Sequence, residues 1–150
     1  MPSRPLNYTT KIPVRQTVSE CSELLADAGA ARVAIVYEDK QPVGLSFRLE
    51  MPSGWQDFTL PVNVPAMAAV LSRMKFPPKT PEIALKRYRA PGHAAEVAWR
   101  VVKDWLEAQL AIIAAEMASL DQVMLPYLQL ANGTLYEVVR DQHMALEGAR

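Results

Sequence analysis

The stretch "VGLSFRLEM", residues 43–51, decides the fold class. Val43, Leu45, Phe47, Leu49 and Met51 alternate with Gly44, Ser46, Arg48 and Glu50. Successive side chains of a strand point to opposite faces, so one face here is apolar and the other polar. Such a strand belongs to an antiparallel sheet packed on one side and wet on the other. The flanking "EDKQP" and "PSG" carry turn residues. Beyond them lie two more strand-like runs. "RVAIVYE" (32–38) is β-branched and mostly apolar, which suits a central strand. "WQDFTLPV" (55–62) sets Phe58, Leu60 and Val62 on one face and Trp55 and Asp57 on the other. Hairpins are the simplest connections. Near the N-terminus, "LNYTTKIPV" (6–14) alternates Leu6, Tyr8, Thr10, Ile12 and Val14, and is expected to add a fourth strand whose end Pro13 places at an edge.

Helical periodicity fills the rest. "TVSE" reads as a capping box, Thr17 with Glu20, ahead of a face made by Val18, Cys21, Leu25 and Ala28. Gly29 is placed to end that helix. Asn63 and Pro65 open a second helix, and "KFPPKTP" breaks it. "EIALKRYR" is a short helical piece before Pro91-Gly92. A long helix is expected from about Pro91 to Ala118, then a fresh cap at Ser119 and Gln122, a limit at Pro126, and a last capping box at Thr134 and Glu137. The predicted fold is α+β: a small, mostly antiparallel four-stranded sheet (β-α-β-β-β-α) followed by a helical C-terminal half with one long helix. The 150 residues fit one domain, and the Pro-rich stretch 76–91 offers a hinge between a sheet half (1–75) and a helical half (91–150).

Half of the residues are hydrophobic and one is cysteine, so the expectation is a globular chain without internal disulfides. The opening "MPSRPLNYTT" has no apolar h-region, and "AQLAIIAA" is far short of the ~20 residues a membrane span needs. A soluble protein without a membrane partner is expected. Net charge is zero, yet residues 73–103 carry a net +6 and residues 104–150 a net −5. A segment of this kind can form a local patch that attracts polyanions.

In the long helix, Glu96, Arg100, Lys103 and Glu107 form one narrow polar stripe, with Asp104 beside it. The remaining surface is apolar and includes Trp99 and Trp105. Such a helix is either central to the chain's own core or shared with another subunit. The width of the apolar surface motivates the expectation of a homo-oligomer, with Trp55, Trp99 and Trp105 as interface residues.

Enzyme signals are thin. There is no phosphate-binding glycine loop, dinucleotide fingerprint or nucleophile elbow. His93 and His143 lie far apart at helix ends, where exposed or capping roles are expected, and Cys21 falls on an apolar helix face. No catalytic residue, metal site or cofactor is predicted. The basic segment is the stronger candidate. Arg73, Lys75, Lys79, Lys86, Arg87 and Arg89 lie close together, interleaved with Phe76 and Tyr88, and Arg100 and Lys103 could extend the patch. Cations neutralise phosphates, and aromatic rings stack on exposed bases.

The segments "NYTTKIPV…TVSE", "PVGLSF", "VAWRVVKDWLEAQLAIIAAEM" and "LPYL…GTLYE" resemble a family of small uncharacterised proteins encoded in tailed-phage and prophage genomes. The resemblance runs from Asn7 to Glu137 and carries no catalytic residue. It implies a cytoplasmic setting in a bacterial host and a role in phage biology by binding. The expected function is an accessory factor of phage DNA metabolism that contacts nucleic acid through residues 73–103. The alternative is a protein–protein inhibitor of a host or defence enzyme, acting through Trp55, the Trp99/Trp105 helix or the acidic region from Asp104 onward.

Overall fold

Two short loops fold three strands into one antiparallel sheet. In the computed structural model, which describes residues 4–148, β1 (Ala31–Glu38), β2 (Gln41–Met51) and β3 (Gly54–Pro61) lie in the order β1-β2-β3. Asp39 and Lys40 link Glu38 to Gln41 with φ of 48° and 66°. Left-handed backbone at both loop positions gives a turn whose twist matches that of the paired strands. Pro52 and Ser53 make the second loop, closed by Gly54 at φ 113°. The alternation read in residues 43–51 holds: Leu45, Phe47 and Leu49 are buried, and Phe58 and Leu60 join them from β3. Phe47 and Phe58 are register partners and stack with centroids 5.8 Å apart.

The sheet differs from expectation in three ways. It has three strands, and a separate two-stranded hairpin is formed by β4 (Gln129–Leu130) and β5 (Gly133–Thr134). The expected first strand at 6–14 does not form. Residues 6–9 turn instead, with Asn7 at φ 64°. The carbonyls of Tyr8 and Thr9 accept hydrogen bonds from the side chains of His93 and Arg87, not from a neighbouring strand. Residues 32–38, expected in the centre, form the edge strand β1, and β2 is central. The β1 pairing slips between Ala31 and Ala34 and again between Val36 and Tyr37. Such bulges twist an apolar edge away from straight pairing with other chains.

Helices cover the apolar face. α1 (Val14–Asp27) starts three residues before the predicted capping box, with Pro13 as its N-cap residue and no side-chain cap. Thr17 is therefore inside the helix and buried, and Glu20 turns to Arg100 instead of back to the helix start. Val18, Cys21 and Leu25 are buried as read, and Gly29 follows the helix end at φ 101°. α2 (Val64–Ser72) is capped by Asn63, whose side chain accepts from the Ala66 N–H. α3 (Glu82–Arg89) is a two-turn helix. The long helix α4 (His93–Ala114) packs against α1, α2 and α3. α5 (Leu120–Met124), capped by Ser119, leads through a 3-10 turn at Leu125–Tyr127 to the small hairpin. α6 (Leu135–Gly148) is the last of the described elements.

One buried cluster joins both sides of the Pro-rich connector: Val18 and Leu25 from α1, Phe47 and Phe58 from the sheet, Trp99 and Leu106 from α4, and Met124 from α5. Trp99 is fully buried and its indole N–H donates to the Pro42 carbonyl at 3.2 Å. The apolar girth of α4 is thus met largely within the chain, by α1, the sheet and α5. Among the described residues no helix is long and apolar enough to cross a membrane.

Candidate nucleic-acid interface

The basic segment is built on the connector between α2 and α4. Arg73 is the residue after the last turn of α2 and is exposed. Lys75 and Lys79 are exposed on the linking loop, which is tightened where the Thr80 N–H and hydroxyl both donate to the Pro77 carbonyl. Lys86, Arg87 and Arg89 fall in the last turn of α3. Cations there complement the negative end of the helix dipole, so their clustering has a structural reason beside any functional one.

Four rings tie the two parts of the segment together. Phe76 and Tyr88 stack at 5.4 Å with planes 19° apart. Tyr8 meets the Tyr88 ring edge-on at 5.5 Å, and His93 lies at the same distance from Tyr88. Arg87 sits over the Tyr88 ring at 4.9 Å and donates to the Thr9 carbonyl at 3.1 Å. Arg89 sits over the Phe76 ring at 5.6 Å. A cation on α3 is thereby held against the aromatic residue of the 73–79 loop, as the sequence distance alone does not show.

Arg100 and Lys103 do not extend this patch. Both side chains are only 14% exposed and both approach Glu20 of α1, Arg100 at 2.5 Å and Lys103 at 3.9 Å. Lys103 also pairs with Glu107. Hydrogen bonds from Gln16 and Arg100 hold the Glu20 carboxyl below its ordinary pKa, against the opposing effect of desolvation. Within the polar stripe of α4, Lys103 pairs with Glu107 one turn on. Arg100 is taken by Glu20, and Asp104 accepts from the Asn7 side-chain amide at 2.6 Å.

The proposed interface tryptophans separate. Trp99, with no accessible surface, is core and cannot meet a partner. Trp105 is half-buried and packs edge-to-face on Tyr127 at 5.8 Å. Trp55 alone is well exposed, at 51%, on the wet face of the sheet. His93 corrects the expectation of an exposed or capping histidine. It is buried at the start of α4, and its Nε2–H donates to the Tyr8 carbonyl at 2.6 Å. His143 is exposed and lies 3.1 Å from Glu147. Burial pushes the Cys21 thiol up to about 11, in keeping with an inert core residue. No group of His, Cys, Asp and Glu side chains suited to a metal ion occurs among the described residues.

The sequence reading missed the N-terminal segment's part in the site. Arg4 donates to the Lys75 carbonyl at 3.4 Å, so a further exposed cation joins the loop. Tyr8 completes the aromatic cluster. Nothing in one dimension signals a contact between residues some seventy positions apart. Beside the cluster lies an open cleft of about 530 Å³, bordered by α2, the Phe76–Tyr88 pair, Arg89 and the first turn of α4. No protein family, curated protein or solved structure matches the chain.

Proposed function

We propose that this protein binds nucleic acid by its phosphate backbone, through the surface made by Arg73, Lys75, Lys79, Lys86 and Arg89 with Arg4 beside them. One observation carries the reading. None of these six exposed cations forms an ion pair among the described residues; Lys11, Arg15, Arg32 and Lys40 are likewise unpaired, but they lie outside the segment that the Phe76–Tyr88 stack draws together. Cations left unpaired keep their full attraction for an external polyanion, and phosphate contact needs no base-reading motif. In the setting the family resemblance implies, this is an accessory role in phage DNA metabolism.

The test is affinity for labelled DNA against salt. With about five phosphates engaged, duplex affinity falls several hundred-fold between about 50 and 200 mM salt. Lys86→Glu combined with Arg89→Glu weakens all sequences alike and flattens that slope. A wild-type affinity independent of salt, or no binding at about 50 mM, overturns the reading.

A second reading rests on α6. This 14-residue helix buries none of its residues and leaves Tyr136, Val139, Met144 and Leu146 exposed. Apolar side chains left in water on a formed helix favour a protein partner, either a host enzyme or another copy. A stoichiometric complex that survives nuclease and is lost on Val139→Glu supports this second reading against the first.

A further inference from the structure

From the cleft beside the cationic surface we infer a preference for single strands: the cleft accepts one unpaired nucleobase while the surrounding cations hold its phosphates. This rests on the phosphate-binding reading and names its substrate class. The cleft, at about 530 Å³, falls in the size range of small-ligand sites. One wall is the Phe76–Tyr88 stack, and the facing walls are small or aliphatic, with Ala68 and Leu71 from α2 and Ala94 and Ala95 from α4. Alanine at three of those positions is what keeps the slot open.

The chemistry at the rim selects the occupant. Arg89 borders the cleft and lies over Phe76, so a cation stands where an apolar guest meets solvent. Lys86 is one helical turn behind Arg89 and exposed, and Lys75 precedes Phe76. A flat apolar group bearing anionic groups along its edge matches this arrangement, and a nucleotide within a strand is such a group. With Tyr88 stacked on Phe76 and the Arg89 guanidinium lying over that ring, the flat surface offered to a base is the guanidinium plane backed by the rings, which stacks on any base, so no sequence preference is implied. A base in a duplex must first be unstacked and unpaired, which favours the open strand. The Tyr8 ring buttresses Tyr88 edge-on, and His93 packs on Tyr88 behind it, so that wall is held in place before a ligand arrives.

Three probes at one ionic strength test the inference: a short thymidine strand, a duplex of equal length, and heparin as a base-free polyanion. The strand is expected to bind about ten-fold or more tighter than the duplex. Ala68→Phe, which fills the slot from an exposed position on α2, is expected to abolish that excess and leave heparin affinity unchanged. Phe76→Ala is expected to weaken the strand about ten-fold by removing the stacking wall and to weaken heparin by much less, because Arg89 loses its support but keeps its charge. A 2-aminopurine placed in the strand should lose fluorescence on binding to the wild type and keep it with Ala68→Phe. Equal affinity for strand and duplex, unmoved by Ala68→Phe, overturns the cleft as a base site and leaves phosphate binding standing. Failure to bind any of the three polyanions overturns both.

Discussion

The Arg100 guanidinium on α4 reaches the Glu20 carboxylate on α1, with Nη1 2.5 Å from Oε2 and the Thr17 hydroxyl 3.5 Å from the same nitrogen. This contact ties the two helices that cover the sheet and takes Arg100 out of the cationic surface. Arg100→Gln is therefore expected to cost about 1 kcal/mol of stability while leaving the salt dependence of DNA binding as it is. Glu20 has a folded pKa below its unfolded one, so folding favours its ionised form. Its contribution is complete above the ordinary carboxylate range and is lost as pH falls through the lowered folded value. Urea unfolding at neutral and acid pH checks this: the gap between wild type and Arg100→Gln should narrow in acid.

Trp99 and Trp55 supply a second test, because one is fully buried and the other half exposed. Trp55→Phe should remove a red-shifted emission component that acrylamide quenches readily and leave stability within about 0.5 kcal/mol. Trp99→Phe strips the Pro42 carbonyl of its donor and leaves a void in the core, at a cost of about 2 kcal/mol or more. A Trp99→Phe protein as stable as the wild type would show that α4 is not the core helix described.

Gly44 sits in the central strand opposite Pro61. A Cβ there would stand 2.7 Å from the Leu60 carbonyl oxygen and 3.3 Å from the Pro61 Cα, both backbone atoms that cannot swing away. Gly44→Ala must spread β2 from β3 and is expected to cost about 1–3 kcal/mol. Chemical denaturation measures it, with Gly148→Ala as a neutral control because nothing lies within 4 Å of that position.

What was legible in the sequence is what short-range physics fixes. The alternation in residues 43–51, the turn residues Asp39 and Lys40, and the caps Asn63, Ser119 and Thr134 all depend on neighbours within a few positions, and each stands as read. The failures share a cause. Residues 6–14 alternate like a strand, but their carbonyls are claimed by His93 and Arg87. Thr17 and Glu20 have the spacing of a cap, but Arg100 draws them inward. Residues 32–38 have the composition of a central strand, yet two bulges let them serve at an edge. Within the candidate site, the sequence located the charge but not the partners that remove Arg100 and Lys103, nor the stack that brings Phe76 to Tyr88. Long-range partners decide the N-terminal segment, Thr17 and Glu20, and the basic site, strand pairing decides the place of residues 32–38, and no local pattern encodes either.

The start of α6 is held by the Thr134–Glu137 box and by the Leu135 N–H, which donates to the Leu128 carbonyl at 2.8 Å. The Thr134 N–H and hydroxyl both donate to Glu137 Oε1, at 3.1 and 3.0 Å, and the Glu137 N–H returns a bond of 3.4 Å to the Thr134 oxygen. These bonds hold the Glu137 carboxyl below its ordinary pKa, the backbone bond contributing most. A helix of this length is marginal in water when packing does not support it, and α6 buries none of its residues. Thr134→Val keeps the side-chain shape and removes the two bonds of the hydroxyl while the Thr134 N–H bond to Glu137 stays, a loss of about 1 kcal/mol. Amide exchange along α6 should then quicken about five-fold, while Trp99 emission and exchange in α4 stay as they were. Acid should have the same local effect as the mutation, because protonating Glu137 gives up the cap as pH falls through its lowered folded pKa. Unchanged α6 exchange in Thr134→Val, or loosening spread evenly over α4 and the sheet, would show that contacts other than this cap hold the helix.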